Sequence, residues 1–315
     1  MKKARTPRAS SDTLGRRGFL TFCASGLVLP HLGYAQSSKP DAEGGIGGTG
    51  IVGLVTELNA LSVGGSQFRF DANTVYSDAS GVLSKDSLAL GDSVTIEAAG
   101  PAEARVARRV HITHPLVGRI ADLSKDGRRF SVNGVEVRLQ TKGARYPTGT
   151  RVAVSGLWQG TRVIATRLSP ARDTRDLISG DVSREIRASY VGPTRVTGQN
   201  IGRVADGSFV SALGRFDPGA GRFVATSFEN ARFTGAAGPL KRLLIEGYLE
   251  PSDAAPGFRV SGLGHSFARN LDLSAFANKK ALFSGSYTGR FDARRGVVLP
   301  EQFEQQRRFL RTLTL

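Results

Sequence analysis

The stretch Phe130-Ser131-Val132-Asn133-Gly134-Val135-Glu136-Val137-Arg138-Leu139 decides the fold. Apolar and polar residues alternate on both sides of Asn133-Gly134, a pair that tolerates the positive φ angles of a two-residue hairpin turn. Successive strand side chains point to opposite faces, so Phe130 and Val132 face one way and Val135, Val137 and Leu139 return along that same face. The segment predicts a β-hairpin with one buried side.

The same pattern runs along the chain from Ile51. Short stretches of β-branched and aromatic residues alternate with polar ones and are bounded by Gly, Asn, Asp and Pro. Only Leu271 to Lys280 and Glu301 to Arg311 offer short helical candidates. A unit recurs: Gly, a strand, a hairpin, a loop, a strand ending near Ser-Gly or Ala-Gly, and a last strand. It runs from Gly53 to Ile112 and again from Gly118 to Leu168, with the two glycines 65 residues apart. Further on, Ser211-Ala212-Leu213-Gly214-Arg215-Phe216-Asp217 returns as Ser286-Tyr287-Thr288-Gly289-Arg290-Phe291-Asp292. Gly221 matches Gly296 and Phe228-Glu229 matches Phe303-Glu304, all at an offset of 75.

About five short strands in ~60 residues, each with one buried face, are accommodated by a small closed barrel, because closure removes exposed edges. The expected fold is therefore all-β, tandem small OB-like or SH3-like β-barrels. The units span 51–114, 115–171, 172–238 and 239–315, behind a Gly-rich linker at 36–50. That linker, QSSKPDAEGGIGGTG, lacks the Lys-Ser/Thr of a phosphate cradle.

Several of these segments resemble a known family. GGIGGTG ahead of Ile51, the Gly-x-Val-Thr strand after it, and FSVNGVEVRL, TGTRVAVSG and VIATRL of the second unit are similar to the bacterial domain-of-unknown-function family 5666 (DUF5666). The resemblance covers about residues 44–170. It thins over 171–315, where the Asn-Gly hairpin is missing. It implies exported, repeated OB-like β-domains, and it brings no assigned activity and no catalytic residues.

The first 35 residues read as a signal peptide. Lys2, Lys3, Arg5, Arg8, Arg16 and Arg17 make a positive n-region, Phe19 to Leu29 an uncharged h-region, and Gly33 and Ala35 flank a cleavage point before Gln36. Arg16-Arg17-Gly18-Phe19-Leu20 resembles a twin-arginine signal, with Gly15 and Thr21 at the outer positions; a general secretory signal is the alternative. A lipoprotein anchor on Cys23 fits less well, because Phe22 is bulky and the apolar run continues past it. The expected location is the periplasm, after cleavage. Cys23 is the only cysteine, so the mature chain has no disulfide, thiolate metal site or cysteine nucleophile. No other apolar run is long enough for a membrane span.

The formal charge is +16; the leader holds six Lys/Arg and one Asp, which leaves +11 on the mature chain. So basic a surface favours anionic partners, and in the periplasm these are lipopolysaccharide phosphates, acidic glycans, teichoic-type polymers and extracellular DNA, nucleic acid being the least expected; charge that only sets solubility is the alternative. Arg105, Ala107, Arg109 and His111 are expected on one face of a strand opposite Val106, Val110 and Ile112, with Arg108 joining the latter unless a bulge intervenes. Arg151 and Ala153 stand likewise opposite Val152 and Val154. Arg105, Arg109, His111 and Arg151 are thus candidate anion ligands, by bidentate hydrogen bonds; a solvated face with aliphatic stems over the sheet is the alternative.

Other chemistry is thin. His111-Ile112-Thr113-His114 has a spacing that two metal-binding imidazoles could share, yet no third ligand is near and His265 is remote, so no metal and no cofactor is expected. There is no Gly-x-Ser-x-Gly or His-Glu-x-x-His, and Asp292, Glu301 and Glu304 read as surface charges. Trp158 is expected to plug a barrel core, with stacking on a sugar ring as the alternative. These features together point to a non-catalytic exported protein that binds an anionic envelope polymer, such as acidic glycan or lipopolysaccharide, or an envelope protein. A structural spacer is the alternative, and an enzyme of unrecognised type the remote one.

Overall fold

A computed structural model describes residues 47–141, 143–251, 257–260, 266–268 and 271–313. The signal-peptide residues Arg16, Arg17, Phe19, Leu20 and Ala35, with Cys23 and His265, lie outside the described residues. The 130–139 hairpin forms as its alternation dictates. Asn133 and Gly134 take φ of 53° and 76°, Val132 pairs with Val135 and Phe130 with Val137, and Phe130, Val132, Val135, Val137 and Leu139 are all buried.

The first unit comprises β1 (Gly48–Glu57), β2 (Leu61–Val63), β3 (Ser66–Phe68), β4 (Val75–Asp78), β5 (Gly81–Leu83), β6 (Ser93–Ala99) and β7 (Val106–Ile112). The second has β8 (Leu116–Arg119), β9 (Arg129–Val132), β10 (Val135–Leu139), β11 (Arg151–Gln159) and β12 (Arg162–Pro170). The third has β13 (Asp176–Glu185), β14 (Ala188–Val191), β15 (Thr194–Thr197), β16 (Phe209–Asp217) and β17 (Arg222–Glu229). The fourth has β18 (Leu240–Tyr248), β19 (Glu250–Pro251), β20 (Gly257–Arg259), β21 (Ser266–Phe267), β22 (Lys280–Tyr287) and β23 (Phe291–Val298), followed by helix α1 (Phe303–Thr312). No helix among the described residues is long and apolar enough to cross a membrane.

The third unit is a closed five-stranded barrel: β13 pairs with β14 and β16, β14 with β15, β15 in parallel with β17, and β17 with β16. The other three repeat its strand order, first-second-third-fifth-fourth, with the third and fifth strands parallel. The second closes through an Ala121–Ser131 bridge. The first closes through an Arg69–Val106 bridge and the parallel β4–β7 pair, and the fourth through β19, which continues β18 past Leu249 to reach β20.

The recurring Ser-Gly and Leu-Gly of the sequence units have a specific use. Gly156, Gly214 and Gly285 each sit at a register shift between the fourth and fifth strands of their barrels. A Cβ there would come within 2.2, 2.0 and 1.9 Å of the carbonyl oxygens of Ile164, Val224 and Asp292. The bulge bends the strand enough to close so small a barrel, and only glycine lets the two backbones approach that closely.

The barrels do not follow one another as separate beads. β1 lies parallel to β18, with Thr49 to Val52 paired to Arg242 to Ile245, so the first and fourth barrels share a sheet. β8 pairs antiparallel with β13, so the second and third share another. The Gly-rich segment read as a linker is corrected at its end: β1 begins at Gly48, and Gly48 to Gly50 are buried. Too few apolar side chains suggested an unfolded tether; the absence of side chains is instead what admits this strand between its neighbours. A Cβ on Gly50 would lie 2.6 Å from Leu243 and 2.7 Å from Phe233.

The cores follow this pairing. One apolar cluster runs through the second and third barrels, from Leu116 to Ala225. The first barrel's core holds Ile51, Val63 and Val110 together with Leu244, Leu282, Leu299 and Leu310 from the last unit. The helix expected at 301–311 is thus α1, and it caps the first barrel rather than the fourth. The candidate at Leu271 to Lys280 yields only a 3-10 turn over Leu273–Phe276.

Candidate functional site

The arginines singled out by strand parity do not converge. A bulge at Arg108 is the reason: Ala107 pairs with Ala98 and Arg109 with Glu97, which leaves Arg108 unpaired and turns Ala107 into the core beside Val110 and Ile112. Arg109 donates to Glu97 Oε1 at 3.4 Å and to the Arg232 carbonyl at 3.3 Å. Glu97 is wholly buried and also accepts from the backbone N–H groups of Thr234, Gly235 and Ala236 at 2.8, 2.7 and 2.9 Å. Arg109 and Glu97 therefore pin the connection between the third and fourth barrels to the first.

Arg105 donates to Ser66 Oγ at 3.3 Å, and burial, reinforced by Arg242, lowers its basicity. Arg151 bridges barrels two and three, donating to Asp176 Oδ1 and to the Arg175 carbonyl, both at 2.7 Å. His111 Nδ1 lies 2.9 Å from Ser77 Oγ, and burial, with Arg109 beside it, lowers its pKa to about 4, so it is neutral at pH 7. His114 turns to Ser155 Oγ at 3.3 Å instead of sharing a ligand with His111. No group of three His, Cys, Asp or Glu among the described residues is placed to hold a metal. The expected anion ladder is thus a set of internal fasteners.

A different arginine cluster faces outward on the second barrel. Arg129 on β9 and Arg138 on β10 are direct cross-strand partners. Val163 pairs with Val137, so Arg162 on β12 adjoins Glu136. Arg138 donates to Glu136 at 2.5 Å, and both side chains are about half exposed, at 47 % and 49 %. Arg138, then Arg162 and Arg129, hold the Glu136 carboxyl below the usual range. Arg128 stands next to Arg129, and the nearby acid Asp126 is bonded to Ser124 Oγ at 2.6 Å. Among the described residues, Arg128, Arg129 and Arg162 make no side-chain hydrogen bond or ion pair. The signal was present in the sequence: a two-residue turn at Asn133-Gly134 sets Arg129 opposite Arg138.

Two cavities open between barrels. One, about 320 Å³, lies among the first three. On its wall the buried Asp92 accepts from Arg167 at 2.6 Å, from Ser155 Oγ at 3.0 Å and from the Ala89 N–H at 2.8 Å. Serine, histidine and aspartate meet here, yet Ser155 donates directly to Asp92 instead of through His114 and is 1 % exposed. That is a joint between barrels, not the relay order of a nucleophilic triad.

The other cavity, about 280 Å³, is lined by residues of all four units. Arg232 lies with its guanidinium carbon 4.1 Å from the centre of the Phe209 ring. Burial lowers its pKa to about 10, opposed by Asp181. Glu250 is pushed up to about 7 by burial and by Asp181, against Arg259 and the Gly160 N–H. Trp158 lines the same cavity rather than plugging its own barrel. Its Nε1 donates to the Ser179 carbonyl at 2.7 Å, and its ring rests on barrel three, where a Cβ on Gly192 would lie 2.4 Å away.

Residues 49–111 match the family model of DUF5666, a domain of unknown function. No curated protein and no solved structure matches the chain. The DUF5666 match falls on the first barrel, from β1 to β7, and not on the second unit, whose motifs carried the resemblance most strongly. The strand order of the matched barrel is nevertheless repeated three times beyond the matched residues.

Proposed function

We propose that this is an exported, non-catalytic periplasmic protein whose second barrel binds an anionic envelope polymer, an acidic glycan or lipopolysaccharide. The observation that carries the reading is the direct cross-strand pairing of Arg129 with Arg138, extended by Arg128 and Arg162 and offset by Glu136 and Asp126. Like charges set opposite each other on a sheet destabilise it by up to about 1 kcal/mol. A polyanion laid across β9 and β10 would remove that repulsion. Second and third strands and their adjoining loops are also where OB-type barrels take extended ligands. A spacer would be better served by barrels strung end to end, whereas here the first and fourth pair through β1 and β18. Export rests on the leader, with Arg16 and Arg17 as the transport signal and Ala35 as the last residue removed.

The test is retention of the mature protein on immobilised acidic glycan, lipopolysaccharide and DNA at rising salt. Specific binding survives ~150 mM salt, where exposed charges are screened beyond about 8 Å. Replacing Arg129, Arg138 and Arg162 by glutamine should abolish retention, and Glu136→Gln should strengthen it. Unchanged retention in the triple variant would overturn the assignment of the face. Intact mass of periplasmic material should begin at Gln36, and lysine at both Arg16 and Arg17 should block export by the twin-arginine route.

A further inference from the structure

Arg232 is the feature that neither the fold nor the arginine face uses. Its backbone carbonyl accepts from Arg109, but among the described residues its guanidinium has no hydrogen-bond partner, and its Nε is buried unsatisfied. Buried donors are nearly always satisfied, and leaving them unmet costs free energy, so an unpartnered guanidinium on a residue that lines a cavity marks a place for a ligand acceptor. Phe209 backs the guanidinium plane at 4.1 Å and fixes the direction of its fork. A planar fork held in this way suits a carboxylate, which it can take in two parallel hydrogen bonds.

The rest of the wall is of a different kind. Glu250 presents a carboxyl group, which accepts from hydroxyls, and Trp158 contributes an aromatic surface of the kind that packs against the C–H face of a sugar. About 280 Å³ corresponds to roughly nine waters, enough for one pyranose ring with its substituents. We propose that the cavity where the four barrels meet binds a single sugar-sized polyol carrying one carboxylate, a uronate, with the carboxylate on Arg232 and a hydroxyl on Glu250. The site is separate from the arginine face of barrel two, and it stands whether or not that face binds a polymer.

Because Trp158 lines the cavity and is the only tryptophan, its fluorescence reports occupancy directly. Titrating the mature protein with glucuronate should change that emission saturably, and glucose at the same concentrations should bind at least tenfold more weakly. Arg232→Gln should lower glucuronate affinity at least tenfold with only a small shift in melting temperature, since the wild-type side chain makes no hydrogen bond among the described residues and loses only its stacking on Phe209. Replacing Arg129 and Arg138 by glutamine should leave it unchanged.

A pH profile supplies a second reading. Asp181 and Arg259 act on Glu250, which lines the cavity together with Arg232, and Arg259 is paired with Asp206. As pH rises from 6 to 8, Glu250 ionises and adds a negative charge beside the bound carboxylate, so affinity should fall severalfold in the wild type and stay level in Glu250→Gln. His111, neutral throughout this range, contributes nothing. Equal binding of glucose and glucuronate, full affinity in Arg232→Gln, or no saturable change in emission would overturn the proposal. Should Arg232→Gln not fold, a pH profile shared by the wild type and Glu250→Gln would overturn it.

Discussion

Val137 has no exposed surface and packs among Phe130, Val132 and Val163 in the joint core of barrels two and three, while Glu136, its neighbour, is half exposed. The alternation of one strand separates a residue that cannot change from one that can. Val137→Asp buries an unpaired charge, which costs several kcal/mol, comparable to the whole stability of a small domain. It should unfold both barrels. Glu136→Lys loses one exposed ion pair and should cost under about 1 kcal/mol. Thermal melts of the two variants check this, and equal shifts would show the register to be wrong. Along β7, Arg109 and His111 do lie opposite Val110 and Ile112, but the extra residue at Arg108 turns Ala107 into the core, and Glu97 and Ser77 engage Arg109 and His111 inside the molecule.

Helix α1 belongs by sequence to the last unit and by contact to the first. Leu310, 4 % exposed, enters the core of barrel one. Arg307 Nε donates to the Thr56 carbonyl at 2.9 Å, and Gln306 Nε2 to the buried Glu246 at 2.6 Å. Phe303, Gln306 and Leu310 fall along one side of the helix, and a single turn of rotation separates the polar contact from each apolar one. Leu310→Ala should cost about 2–5 kcal/mol. Hydrogen exchange should show the loss of protection concentrated in β1, β6 and β7, with β23, which precedes the helix in the chain, much less affected. Loss centred on β22 and β23 would contradict this account of how barrel one is capped.

At the scale of the whole molecule, the shared sheets divide four barrels into two pairs with unequal independence. The core of barrels two and three draws only on residues 116–225, whereas that of barrel one needs Leu244, Leu282, Leu299 and Leu310. A fragment of residues 115–230 should therefore fold cooperatively, and residues 47–114 alone, although they contain the DUF5666 match, should not; circular dichroism melts decide. The sequence by itself determined the strands, the Asn133-Gly134 turn and the all-β class, because alternation and turn chemistry act within a few residues; the offset of 75 fails, since Gly214 corresponds to Gly285 and Phe303-Glu304 opens α1 while Phe228-Glu229 ends β17. The sequence also carried the Arg129–Arg138 pairing, since a two-residue turn sets the register of its own hairpin. Only the tertiary structure decided that β1 meets β18, that Glu97 seats residues 234–236, and that Trp158, Glu250 and Arg232 face one cavity. Those contacts join residues from different barrels, up to nearly two hundred positions apart. No local periodicity encodes which barrel packs against which, because that choice depends on the summed complementarity of whole surfaces.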